Sequence, residues 1–307
     1  IWGSSQGVEK LCPSYGFEAY ITFYSKSGNE SAWALAETFI ETQYKRILEN
    51  PKMLVELHAK WEIEEKNFYA VVNKLERNGI TDLKKDYVQF LDAYKKEYAP
   101  ALILEYFYAG TEYMAKQVLE KYPELKKEIV PAIAPEGISF LAEEKKDLLL
   151  LVLQFKKNSV NSLKELKEKY PNLFADLETH QNKHFWLQNN YKYTNPISLE
   201  TFFANLVTES KKDSNKLEIE IKEIDSYASK QKNLREQLHA KIDLQSQKTV
   251  DLVAMIAHWH DCRKRAALVG SYYLNEFLKQ ATEKYKIDFE LLQFTTPEEF
   301  LSLLDIG

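Results

Sequence analysis

From Pro51 to Asn78 the apolar residues fall at Leu54, Leu57, Trp61, Phe68, Val71, Val72 and Leu75, a helical spacing closed by Asn78-Gly79. The same periodicity predicts helices over about 82–98 and 101–121, and a helix starting at Asn29 or Ser31 and running to about Glu49, where Pro51 ends it. Pro123, Pro131 and Pro135-Glu136-Gly137 mark the strongest internal boundary. Beyond it a buried helix is expected over 139–156, and Ser162-Leu163-Lys164-Glu165 has the capping-box pattern that opens another. That helix closes in the polar, aromatic stretch leading to Pro196, and Ser198 caps the next.

From about Asn215 to Tyr285 there is no proline and only Gly270. Leu217, Ile221, Ile224, Ala228, Gln231, Leu238 and Ile242 form one narrow apolar seam, and Leu252, Met255, Trp259, Cys262, Ala266, Val269 and Tyr273 form a second. One unbroken helix of that length would measure about 105 Å at 1.5 Å per residue. An antiparallel hairpin turning near Asp243 to Gln247 is more economical. The pattern therefore predicts an all-α protein: an irregular segment over 1–30, a helical subdomain over 31–137, and a second over 138–307 that carries the hairpin. The one stretch with strand character is FEAYITFYS, from Phe17 to Ser25.

Composition agrees with helix and narrows the chemistry. Only nine glycines occur in 307 residues, and none forms GxGxxG, the P-loop pattern or GxSxG. The formal charge of −5 lacks the basic footprint that nucleic acid requires. The longest apolar run, Asp147 to Phe155, is far short of the roughly 20 residues that cross a bilayer. Cys12 and Cys262 sit in no metal or redox spacing, which points to a reducing, cytoplasmic setting. The first residue is Ile1, and the chain reads as a region of a longer protein.

The histidines are the first candidate chemistry. In IAHWHDCRKR, from Ile256 to Arg265, Trp259 and Cys262 fall on the seam, while His258, Asp261 and Arg265 share a second face as a solvated ion-pair ladder. His258 and His260 are two apart and point in different directions; Cys262 on a buried seam is inert. His180 and His184 are a better metal pair, because i, i+4 spacing puts both imidazoles on one helix face, with Glu178 as a further oxygen, but no second acidic cluster is tied to them and the plainer expectation is no metal and a polar helix end beside an aromatic loop. Gln181 stands where HExxH would place a general base. Trp186, Asn189, Asn190 and Tyr191 offer an apolar base with amide donors that could line a ligand pocket, against the plainer reading of aromatic packing at an element end.

The stretch HWHDCRKRAALVGSYYLNEFLKQATEKYKIDFELLQFTTPEEFLSLL, residues 258–304, resembles the segment preceding the mobile phosphohistidine domain in phosphoenolpyruvate-utilising enzymes. That group includes phosphoenolpyruvate synthase, pyruvate phosphate dikinase and rifampicin phosphotransferase. Asp288, Phe289, Leu292, Phe294, Thr295 or Thr296, Glu299 and Phe300 stand at the matching places, and Arg263 and Lys264 match a basic patch in shifted spacing. The resemblance implies a helical linker or substrate-side region of a phosphotransferase, with Arg263 and Lys264 at the substrate. It also implies ATP and magnesium for the full family and a mobile phosphohistidine domain as partner. No histidine here has the carrier motif's context, so the chain itself is expected to hold no cofactor and no catalytic histidine. The alternative is a non-enzymatic helical scaffold or protein-interaction domain.

Overall fold

The computed structural model describes residues 42, 45–50, 52–158, 160–190 and 194–306. The expected strand at 17–25, the helix start at Asn29 or Ser31, and Tyr191 lie outside them. All regular elements among the described residues are helical, as the periodicity predicts.

Helix α1, Lys52–Asn78, buries Leu54, Trp61, Phe68, Val72 and Leu75 along one stripe. It stops at Gly79, whose φ of 68° lies in the left-handed region that glycine enters without a side-chain penalty. Helix α2, Leu83–Ala109, runs straight through Pro100, where two separate helices are expected from the pattern. A proline inside a helix loses one backbone bond and costs about 3 kcal/mol. Packing outweighs it here, because Ala101 and Leu104 beyond the proline are buried with Leu252, Val253 and Ile256. The break falls at Gly110, and α3 is Thr111–Lys121. A 3-10 turn over Pro123–Leu125 leads to α4, Lys126–Ala132.

Helix α5, Phe140–Phe155, opens with Ser139 Oγ accepting from the Ala142 amide at 3.1 Å. The Ser162 capping box forms: the Glu165 amide donates to Ser162 Oγ at 3.2 Å, and Glu165 Oε2 accepts from the Asn161 amide at 2.9 Å. The helix it opens is short, however. Pro171 forces Tyr170 out of the α region, to φ −136° and ψ 62°, so α6 is Leu163–Lys169 and a separate α7 is Pro171–His184. Ser198 caps α8, Leu199–Glu209.

The two long helices are α9, Ser214–His239, and α10, Leu244–Tyr285. Asp243 is the N-cap of α10, accepting from the Gln245 and Ser246 amides at 3.0 and 3.1 Å, so the turn lies before it and not after it as expected. Near the turn the arms are antiparallel: Gln247 Nε2 donates to the His239 carbonyl at 2.9 Å, and His239 Nε2 lies 3.1 Å from Asp251 Oδ1. The seams then part company. Leu217 and Ile221 of α9 pack with α5 and α8, whereas α10 packs Trp259 and Ile256 against α1 and α2. Helix α10 is buried on several sides, not along one seam, and serves as the central rod of the molecule. The short helices α11, Phe289–Leu292, and α12, Pro297–Ile306, close the chain. Phe300 of α12 is buried against Tyr87, with ring centroids 4.7 Å apart. The apolar clusters join residues on both sides of Gly137, Phe68 and Phe90 packing with Phe277 and Phe300.

Candidate functional site

The loop between α4 and α5 enters the space where the α9 and α10 arms diverge. Gly137 lies so close to the His258 imidazole that a Cβ there would collide with the ring, and the Phe140 amide lies 3.3 Å from Asp261 Oδ2. Beside this wedge is a cavity of about 580 Å³, which α9 lines with Ile224 and Tyr227 and α10 with Ala257, His260 and Lys264. Tyr108 of α2 forms another wall and stacks on His260, the ring centroids 3.6 Å apart and the planes 6° from parallel. Burial and the Lys264 ammonium hold His260 at about 4, so its imidazole is neutral at pH 7. The lining carries the Glu223 and Asp261 carboxylates against the Lys264 ammonium.

Two expectations for α10 are corrected by this arrangement. His258 and His260 are half-buried and not on wet faces: Gly137 packs on one ring and Tyr108 on the other. Nor do His258, Asp261 and Arg265 form a ladder among themselves. Asp261 and Arg265 reach across to α5, the latter as an ion pair with Glu143. Sequence periodicity identifies the buried stripe of a helix but not which neighbours close over its other faces.

The candidates read from sequence separate. Lys264 lines the cavity, while Arg263 beside it is only 5% exposed and faces the buried Glu97. Arg263 and Lys264 therefore do not form one basic patch. Trp186 is core, 2% exposed, its Nε1 donating to the Lys183 carbonyl at 2.8 Å. Asn189 is a buried tie: its Nδ2 donates to the Leu268 carbonyl at 3.3 Å and its Oδ1 accepts from the Asn195 amide at 2.8 Å. Asn190 is exposed. Neither Trp186, Asn189 nor Asn190 lines the cavity.

His180 and His184 do come together, as their spacing requires, with ring centroids 4.8 Å apart. The carboxylates beside them come from α5 and not from Glu178: Asp147 Oδ2 lies 2.9 Å from His184 Nε2, and Glu144 Oε1 lies 3.3 Å from His180 Nε2. Lys183 Nζ bridges Asp147 and Glu143 at 2.7 and 2.8 Å. Burial lowers the His184 pKa, and the hydrogen bond the ring makes to the Asp147 carboxylate opposes it.

A buried polar cluster between α1, α2 and α10 has no counterpart in the sequence reading. Glu97 is 1% exposed; its Oε1 accepts from Trp61 Nε1 at 2.7 Å and its Oε2 has no hydrogen-bond partner among the described residues. Burial pushes Glu97 up to about 7, and it does the same to Glu65 one helix away. Burial also pushes the Cys262 thiol up to about 12, in keeping with an inert cysteine. A lone Glu inside an amphipathic helix is the only sequence signal for such a group, and most such residues are solvated.

All six histidines lie within helices: His58 in α1, His180 and His184 in α7, His239 in α9, His258 and His260 in α10. Triphosphate and magnesium need a backbone cradle or a lysine and carboxylate clamp. Among the described residues Gly79 is a helix stop and Gly137 a packing contact, and neither forms such a cradle.

No protein-family model matches the sequence, and no curated protein or solved structure does either.

Proposed function

We propose that this chain acts by binding and not by bond chemistry, as a helical body that holds a small molecule in the cavity between the α9 and α10 arms. The observation that supports this reading is the cavity itself: its volume of about 580 Å³ falls in the range of about 300–1,000 Å³ common to small-molecule sites. Tyr108, Tyr227 and the neutral His260 offer flat faces for a planar apolar ligand. Two carboxylates against one ammonium favour a ligand with amino or hydroxyl donors over an anion. In the phosphotransferase reading this ligand is the acceptor, Lys264 stands at its edge, and a mobile phosphohistidine domain delivers the phosphoryl group. Residues 258–304, with Lys264 on the cavity wall, support that assignment.

The test is a fluorescence titration with proflavine, a planar aromatic cation bearing two amino groups, alongside the anionic dye 8-anilinonaphthalene-1-sulfonate. Saturable one-site binding of proflavine, tighter than that of the anion, is expected. Absence of saturable binding by either dye would leave the scaffold reading in its place.

A further inference from the structure

We infer that His180, His184 and Asp147 form a site for a borderline divalent cation of the zinc class, independent of the cavity ligand. The three residues offer ligand atoms that all lie within 4.8 Å of one another, with both histidines buried and Asp147 half-buried. A tetrahedral ion with bonds of about 2.0–2.1 Å sets its donors roughly 3.3 Å apart. His184 Nε2 and Asp147 Oδ2 are already at 2.9 Å, and the His180 ligand atom lies within 4.8 Å of both.

A second observation points to a ligand. The Nδ1 atoms of both histidines are buried and have no hydrogen-bond partner among the described residues, while the side chains are 2% and 0% exposed. A buried polar atom left unpaired costs about 1–3 kcal/mol. Two such atoms on adjacent rings are hard to account for as a tether between α5 and α7, because the tether uses only the Nε2 atoms. Coordination through His184 Nε2 and His180 Nδ1 would give the buried His180 atom a partner while Glu144 keeps the other nitrogen of that ring, the arrangement by which carboxylates orient metal-bound histidines. Glu144, at the His180 ring, is placed for that supporting role.

The neighbouring charges accommodate the ion. Lys183 binds Asp147 and Glu143 together, and it retains Glu143 when Asp147 turns to a cation. Arg265 already neutralises Glu143 from α10. Two imidazoles and a carboxylate select zinc-like ions over calcium or magnesium, which take oxygen donors. Three protein ligands leave a position for water, so the donor set does not close the coordination sphere.

The test uses the full chain, treated with chelator and then dialysed against zinc chloride, with bound metal measured by mass spectrometry. One zinc per chain is expected. Asp147→Asn, which keeps a hydrogen bond to His184 but is a poorer ligand, and His180→Asn should each weaken zinc at least tenfold with unchanged circular dichroism. The wild-type protein gives a reading that needs no variant. Zinc should shift the imidazole nitrogen resonances of His180 and His184 and leave those of His58, His239, His258 and His260 in place. No saturable uptake, uptake that survives both substitutions, or zinc shifts at other histidines would each overturn the inference.

Discussion

Gly137 lies flat against the His258 imidazole, and this contact lets the loop between α4 and α5 wedge between the two long helices. The space allotted to a side chain at residue 137 is already filled by the ring. Gly137→Ala should therefore push the loop off α10 and destabilise the protein by about 1–3 kcal/mol, the usual cost of overpacking. Chemical denaturation gives the number. A loss under about 0.3 kcal/mol would mean that the loop yields freely and that the wedge is not fixed by this contact.

The middle of α10 carries two unequal side chains. Trp259 is fully buried and packs with Trp61 and His58, at ring distances of 5.7 and 5.0 Å. Trp259→Ala should cost about 3–5 kcal/mol as a large core truncation. His260→Ala forfeits mainly its stacking on Tyr108 and should cost about 1 kcal/mol. Equal losses would place His260 in the core and undo its assignment to the cavity wall.

The buried Glu97 makes stability fall with rising pH. Its folded pKa of about 7 exceeds the ordinary 4.5, so the native state binds the proton more tightly than the unfolded chain does. The contribution is full below about pH 4.5 and is lost as pH rises through about 7, a difference of roughly 3 kcal/mol at most. Glu65, raised to about 7 as well, acts in the same direction, while the Arg263 charge near Glu97 opposes it. Glu97→Gln keeps an acceptor for Trp61 Nε1 and cannot ionise. Urea denaturation of this variant at pH 5 and pH 8 should show a smaller drop in stability than the wild type shows; parallel profiles would mean that Glu97 is already ionised in the native protein at pH 5.

Whether this chain carries a phosphoryl group is directly measurable. With all six histidines inside helices, incubation with radiolabelled phosphoenolpyruvate or with ATP and magnesium should give no acid-labile phosphohistidine. Label that disappears with one histidine substitution would make this a catalytic domain.

Much of the helix map was legible because periodicity and capping act locally. Ser139, Ser162, Ser198 and Asp243 each accept from the first-turn amides of the helices that follow them. Pro100 and Pro171 divide the other way from expectation. The first is carried by the burial of Ala101 and Leu104, and the second breaks a helix by turning Tyr170 out of the α region. The pairing of His180 with His184 followed from spacing, but Asp147 and Glu144 come from another helix 36 or 37 residues away, which no local pattern encodes. The cavity was hidden for the same reason, being assembled from α2, α9, α10 and the wedge loop. Arg263 and Lys264 are adjacent in sequence and indistinguishable by charge, yet one helical step of about 100° puts Arg263 in the interior and Lys264 on the cavity wall.

The reading of this protein as a ligand-holding helical body rests on the space beside Ala257. Ala257→Trp puts an indole into that space from the α10 wall. The proflavine affinity of this variant, compared with wild type under conditions where circular dichroism shows the same helix content, is the decisive measurement. Binding weakened at least tenfold, about 1.4 kcal/mol or more, is the predicted result; an unchanged affinity would contradict the account, because the dye would then be bound elsewhere.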